Sequence, residues 1–418
     1  MRATLLVFLG LCSASVCAQD VTLRHALDGR ALDMLATQVV AFNDLQKGKA
    51  RVVLEDLKGV DDKTRLPTMA FLDADDGMTF FATRPRFRPL VQVMKDAGEK
   101  FDGARFYPQI ADAVDDLTGK IEALPLGMAL PVLFYNRDAF RQAGLDPDQP
   151  PQTWWEVQKA AGALFDAGYK CPLTSSRFSW VHVENVSSQH GESILAQVGK
   201  AETLGINAMV NVKHIALLSS WYKSFYFHYF GARDEANAQF SHGSCAMLTG
   251  DSHAYAGFAR EARFEVGVAA LPHYDDVHGA KPVDVVPDGA ALWILPGKSK
   301  EEYKVVARFM SFLQRPEVQR DWVRATAFLP MMPAAMEALR AAGIPATVLD
   351  AAEKRLSMAK SGSRNKDGAG RNRIREIINE EIAFVWQNTK PAKEALDTAV
   401  TRSNLLLSPT MAAPLPKK

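Results

Sequence analysis

Few features of this chain are out of balance, and its shortages narrow the reading. Neither sign of charge dominates: 49 Lys and Arg face 48 Asp and Glu, and the formal balance of +1 falls to about 0 if Arg2 is cleaved away. That absence argues against nucleic acid or an anionic membrane as partner. No uncharged stretch is long enough to span a bilayer, and the apolar run Leu5 to Leu11 is much too short. No GxSxG elbow, HExxH motif or cluster of carboxylates beside an apolar pocket residue is found, which argues against catalysis. His182, His190, His242 and His253 have no carboxylate or cysteine partner at metal-ligand spacing, so neither a metal nor a cofactor is expected. There is no internal repeat. Cysteine is scarce, with four in 418 residues.

What is present begins with an export signal. Arg2 supplies a positive start, Leu5 to Leu11 an apolar run, and Val16-Cys17-Ala18 a small-residue cleavage site. Residues 1–18 therefore read as a signal peptide cut after Ala18. A lipoprotein with Cys17 as its first mature residue is the alternative, which Ala14-Ser15-Val16 fits poorly. Cys12 and Cys17 leave with the signal. Cys171 and Cys245 then remain in an oxidising compartment and read as one disulfide, with two buried free thiols as the alternative. A mature chain of about 400 residues is too long for one ordinary core, so two lobes are expected.

Hydrophobic periodicity predicts strands at Val21 to Arg24, Arg51 to Leu54 and Gly77 to Phe81. Helices are predicted at Asp33 to Asn43 and Thr64 to Phe71, with Leu90 to Ala97 continuing the pattern. This alternation argues for an α/β lobe with a largely parallel sheet. Further strands are expected at Pro131 to Tyr135, Val266 to Leu271 and Ala290 to Leu295, with Phe240 to Leu248 a short polar lead into another. Further helices are expected over Thr153 to Ala167, Val210 to Phe227, Glu301 to Leu313, Ile374 to Trp386 and Ala392 to Leu407. Pro316 is expected to end the Glu301 helix. Ala359 to Arg373, rich in Gly, Ser and basic residues, reads as a solvated loop, and residues 409–418 as a flexible tail.

The most specific stretch runs from Tyr135 to Glu156, YNRDAFRQAGLDPDQPPQTWWE. A strand ends at Asn136 and a short helix stops at Gly144. Pro147, Pro150 and Pro151 hold an extended linker, and Thr153 with Glu156 forms a capping box. With Trp180-Val181-His182-Val183-Glu184-Asn185, Gly243-Ser244-Cys245-Ala246-Met247, Gly289-Ala290-Ala291-Leu292-Trp293 and Phe328-Leu329-Pro330, it resembles extracellular solute-binding proteins of the sugar and glycerol-phosphate type. Among these it is most similar to the periplasmic sn-glycerol-3-phosphate-binding proteins of ABC importers. The resemblance implies a two-lobed α/β periplasmic binding protein fold with a hinge and an interlobe ligand cleft. Lobe I would be 19–129 with 290–329, and lobe II 130–289 with 330–408.

Several ligand positions carry over from the resemblance. Arg375 stands where the family uses an arginine, whose guanidinium suits a phosphate. Gly289 stands where the backbone approaches the ligand. Trp180 matches one of two flanking aromatics, while the second is Arg177 here. A family serine becomes Asp251, another becomes Ala129, and two tyrosines become Phe328 and Asp61. A family glutamate falls in Ala82 to Arg86, which holds no acid but does hold Arg84 and Arg86. Asp251 would repel a phosphate dianion and bind hydroxyls well, and it could equally cap the helix expected after Ser252.

The expected function is therefore that of a monomeric, non-enzymatic periplasmic binding protein for an ABC importer. It would capture sn-glycerol 3-phosphate or a related glycerophosphodiester by lobe closure, with a binding free energy on the order of −8 kcal/mol. The closed form would dock on a membrane permease served by an ATPase. The alternatives are a binding protein for an uncharged sugar or polyol, an exported hydrolase, and a sensor whose closure signals to a receptor.

Overall fold

The computed structural model describes residues 19–57, 66–72, 87–115, 119–198, 201–277, 284–341, 346–357 and 368–407. The signal peptide, the strand at Gly77 to Phe81, Asp61, Arg84, Arg86 and the tail at 409–418 lie outside the described residues. Twelve strands are described: β1 (Gln19–His25), β2 (Ala50–Asp56), β3 (Met69–Leu72), β4 (Leu124–Ala129), β5 (Pro131–Asn136), β6 (Cys171–Ser175), β7 (Leu195–Val198), β8 (Ala201–Leu204), β9 (Phe227–His228), β10 (Cys245–Asp251), β11 (Val266–Ala270) and β12 (Asp288–Ile294).

They form two five-stranded sheets and one hairpin. The first sheet has the order β2-β1-β3-β12-β4, the second β11-β5-β10-β6-β9. In the first, β1 runs parallel to β2, which it reaches through the Gly29–Leu45 helix, and to β3. β12 returns from later in the chain and runs antiparallel to both β3 and β4, so this sheet is mixed instead of largely parallel.

Four further expectations need correction. The helix expected over Thr64 to Phe71 is a strand from Met69. Met69 to Leu72 is apolar throughout and buried between β1 and β12, and a short apolar run has no period to separate helix from strand. The helix expected to reach Phe227 ends at Lys223; Phe225 takes a φ of 61°, and Phe227 joins the second sheet. Pro316 does not close the Lys300–Leu313 helix but opens the Pro316–Thr326 helix, where its missing N–H needs no partner. The end of the Gly- and Ser-rich stretch is also helical, since the Gly368–Trp386 helix begins before Ile374.

Other local signals act as written. Glu156 N donates to Thr153 Oγ1 at 3.2 Å, and Glu156 Oε2 accepts from Thr153 N at 3.0 Å, closing the capping box on the Trp154–Asp166 helix. Asn136 caps the Arg137–Gln142 helix by accepting from Ala139 N. β5 is buried on both faces: Val132 and Phe134 join one core, Leu133 and Tyr135 the other. The first core fills the space around the first sheet with Leu23, Phe71, Leu292, Phe309 and Trp322. The second packs Trp154, Phe178, Trp221 and Trp386 behind the second sheet.

Three chain segments join the sheets, and their bonding positions the cleft. β4 and β5 are separated by Leu130 alone. Leu130 N donates to Ser252 Oγ, and its carbonyl accepts from Ser252 N at 2.8 Å. Residues 285 and 286 lead into β12. After the Pro316–Thr326 helix, Leu329 N donates to the Met128 carbonyl at 2.8 Å. Cys171 and Cys245 are register partners in β6 and β10, joined by a disulfide with Cα atoms 4.5 Å apart.

Candidate functional site

A cleft of about 580 Å³ opens between the sheets, near the carboxyl ends of β1, β4 and β10. Side chains at such strand ends point into open space, where a sheet fold can present them to a ligand. One wall holds the start of the Gly29–Leu45 helix, with Asp28 and Arg30, together with Phe71, Ala129 and Gly289. The other holds Arg177, Trp180, Asp234, Asp251 and His253. Phe328 closes one end. Six of the residues expected from sequence thus meet in one cavity: Arg177, Trp180, Asp251, Gly289, Ala129 and Phe328.

Gly289 is required where it stands. Its φ is 140°, and a Cβ there would lie 2.1 Å from the Gly127 carbonyl oxygen. Ala129, at the end of β4, pairs in register with Asp288 and offers the cavity no hydrogen-bonding side chain. Trp180 lines the cleft but is 2% exposed, and its Nε1 donates to the Val286 carbonyl at 2.8 Å. It therefore offers the cavity little surface, and its ring nitrogen is already used.

Arg177 and Asp251 meet across the cavity wall. Arg177 Nε lies 3.2 Å from Asp251 Oδ2 and 3.2 Å from Asp234 Oδ1. The backbone at Arg177 has a φ of 49°, a conformation that bulky residues occupy only when their surroundings hold them there. Asp251 also accepts from Ala254 N at 3.1 Å, capping the turn Ser252–Ala254. Phe328 lies flat on His253, with ring centroids 3.9 Å apart and planes 9° apart.

Five carboxylates line the cleft (Asp28, Asp234, Asp251, Glu261, Asp288) against three guanidiniums, Arg30, Arg177 and Arg260. Among the described residues, no group of His, Cys, Asp and Glu could hold a metal ion, and no helix is long and apolar enough to cross a membrane.

Residues 37–346 match the family model of the bacterial extracellular solute-binding proteins. The chain belongs to that family. This solute-binding protein is 36% identical over 329 residues to the sn-glycerol-3-phosphate-binding periplasmic protein UgpB of Yersinia enterocolitica, covering 77% of this chain and 75% of the relative. The UgpB of Salmonella typhimurium is 37% identical over the same shares. Its fold is that of two-lobed binding proteins. UgpB from Mycobacterium tuberculosis in complex with glycerophosphocholine superposes with a TM-score of 0.73 at 20% identity, over 93% of this chain and 99% of that one. The cyclic alpha-maltosyl-1,6-maltose binding protein from Arthrobacter globiformis superposes with a TM-score of 0.72 at 19% identity, over 93% and 99%.

Arg375 of this solute-binding protein lies apart from the main cavity, in a smaller neighbouring hollow that shares Arg177, Trp180 and Asp288 with it. Its guanidinium is clamped. Nη2 donates to Glu184 Oε2 at 2.7 Å, Nε to Glu184 Oε1, and Nη1 to Asp288 Oδ2 at 2.5 Å. Burial alone would lower the Arg375 pKa, but the Asp288 and Glu184 carboxylates outweigh it and hold the pKa above its usual value. Two anions thus already surround the one cation that the resemblance assigns to phosphate.

Sequence reading missed several members of this site. His253 was considered as a metal ligand and set aside; it lines the cleft beside Phe328. Asp28 and Arg30 were not singled out, although the turn from β1 into the first helix is where a strand-end cleft draws residues. Glu184 lay inside a quoted motif, and Asp288 directly before Gly289, but nothing in their spacing links them to Arg375, 191 and 87 residues away.

Proposed function

We propose that this protein is the periplasmic capture component of an ABC importer, exported by its signal peptide and taking a glycerophosphodiester in preference to the more highly charged sn-glycerol 3-phosphate. The observation that carries the preference is the charge of the cleft. Five carboxylates face three guanidiniums, and Arg375 is neutralised by Glu184 and Asp288. A phosphate dianion among these carboxylates would meet more repulsion than a diester with one charge and free hydroxyls. Arg177 is also paired, with Asp234 and Asp251, but at 3.2 Å and on a side chain 20% exposed against 11% for Arg375, so it is the better placed to exchange a carboxylate for the single phosphoryl charge. Asp251 would accept from the hydroxyls of the glycerol part.

The relatives bearing the sn-glycerol-3-phosphate-binding name and the fold likeness to a glycerophosphocholine complex support this ligand class. Residues 19–129 with 290–329 would move as one lobe, and 130–289 with 330–408 as the other, around the segments at Leu130, Val286 and Leu329. A ligand touching both walls would stabilise the closed form by its differential contacts. That form would then dock on a permease and its ATPase. A second reading, an uncharged sugar or polyol, is favoured by the same carboxylates and by the absence of a free cation at Arg375.

A thermal-shift panel tests the reading. Saturating glycerophosphocholine should raise the melting temperature by several degrees, since ligand at a hundredfold excess over its Kd stabilises by about 2.7 kcal/mol. Glycerol 3-phosphate should raise it less. A shift with maltose alone would support the second reading and overturn the first.

A further inference from the structure

The His253 ring is held more firmly than a cleft side chain without a task needs to be. Its Nδ1 lies 2.6 Å from the Thr326 carbonyl oxygen, and a carbonyl can only accept. Nδ1 therefore carries a hydrogen, and in the neutral tautomer this selects, the lone pair sits on Nε2. One face of the ring is covered by Phe328 at 3.9 Å. The backbone is fixed as well. Asp251 caps the turn that carries His253, and Ser252 bonds Leu130 in both directions. His253 is thus tied by its main chain to the second sheet and by its ring to the last residue of the Pro316–Thr326 helix and to Phe328 just beyond it.

We propose that His253 is a ligand-contacting, specificity-determining residue that accepts a hydrogen bond from a hydroxyl of the captured solute through Nε2. Nδ1 is committed to Thr326, so Nε2 is the ring atom left for the cavity that His253 lines with Asp251, Arg177 and Gly289. An imidazole fixed in one tautomer and one plane is a directional acceptor. It rewards a hydroxyl at one place and gives nothing to an ester oxygen or a methyl group there. Phe328, which has no hydroxyl of its own, acts here as the flat support that keeps the ring in place.

The inference rests on the capture reading above, and the test separates the two. Isothermal titration would use glycerophosphocholine and propylphosphocholine, which lacks both glycerol hydroxyls, on the unsubstituted protein, on His253→Asn and on His253→Gln. Asparagine places a donor near Nδ1 and can keep the Thr326 bond while removing Nε2; glutamine keeps a polar atom near Nε2. The expected result is at least a fivefold loss of glycerophosphocholine affinity in His253→Asn, with the ligand-free melting temperature unchanged. His253→Gln should stay within about threefold of the unsubstituted protein, and His253→Asn should bind propylphosphocholine as the unsubstituted protein does. Equal glycerophosphocholine affinity in the unsubstituted protein and His253→Asn overturns the inference alone, as does a lowered melting temperature with equal weakening of both probes. No capture of glycerophosphocholine by the unsubstituted protein overturns the reading, and the inference falls with it.

Discussion

The Arg177 guanidinium and the Asp251 carboxylate, 74 residues apart in sequence, meet at 3.2 Å on the wall of the interlobe cleft. The family resemblance would place a tryptophan at the first position and a serine at the second. Here Arg177 and Asp251 are a compensated pair, with Asp234 as a second anion on the same guanidinium. A cleft walled by such an ion pair should favour a solute that offers one negative charge together with hydroxyls.

That relationship can be reversed. Arg177→Trp combined with Asp251→Ser installs the residues that the resemblance assigns to both positions. Titration of the double variant should show its preference shifted toward sn-glycerol 3-phosphate over glycerophosphocholine by about tenfold relative to the unsubstituted protein, roughly 1.4 kcal/mol. Arg177→Trp alone leaves Asp251 without that cation and should weaken both ligands. An unchanged preference in the double variant would mean that specificity lies elsewhere in the cleft.

Arg375 makes a separate prediction about stability. Its side chain is 11% exposed and bridges Glu184 and Asp288, which are 7% and 6% exposed. Arg375→Met would leave two buried carboxylates facing each other, and breaking such a pair by removing one partner costs about 3–5 kcal/mol. Denaturant unfolding of the ligand-free protein should register that loss. A ligand-free stability like that of the unsubstituted protein would show that Arg375 serves the ligand and not the fold.

The disulfide links β6 and β10, and Asp251 at the end of β10 lines the cleft. In the chain-entropy model, closing a loop with a sequence separation of 74 contributes roughly 4 kcal/mol. Cys171→Ser with Cys245→Ser should lower the denaturant midpoint accordingly while affinity at low temperature stays within about threefold, because the strands remain paired by their ladder. A loss of binding with little loss of stability would assign the bridge to the site instead.

Acid should weaken the fold before it touches the carboxylates. His182 and His214 are fully buried, 2.9 Å apart, and chained to Thr249 and the Tyr274 hydroxyl. Burial pushes the His182 pKa down to about 3 and His214 well below its ordinary value. The unfolded chain takes up these protons near pH 6.5 while the folded chain does not, so stability is complete above that pH and falls as pH drops toward the folded values. At pH 5 the loss from His182 alone is about 2 kcal/mol, and His214 acts in the same direction. Unfolding curves from pH 7.5 to 5 should show this slope, and His182→Asn should flatten it. A flat profile in the unsubstituted protein would contradict the buried neutral pair.

Much of the frame was legible because it is written in local chemistry. The capping box at Thr153, the strand end at Asn136, the stop at Gly144 and the striped helix ending at Leu313 depend on neighbours within a few residues, and the structure keeps them. The misread elements fail for the same physical reason in reverse. Met69 to Leu72 is a strand because β1 and β12 bury it from both sides, and Pro316 begins a helix because the chain has already turned at Gln314. The site was half legible. Resemblance pointed to Arg177, Asp251, Gly289 and Phe328, all of which line the cleft. It could not show that Arg375 is clamped by two anions or that Phe328 supports His253, because these contacts depend on folding distant segments together.

Isothermal titration of the mature protein with glycerophosphocholine and, separately, with sn-glycerol 3-phosphate tests the account most directly. The account predicts saturable one-site heat with the diester at micromolar Kd or below, and at least about tenfold weaker binding of the monoester. Binding of sn-glycerol 3-phosphate as tight as or tighter than the diester would contradict it, because the five carboxylates of the cleft would then not govern which phosphate enters.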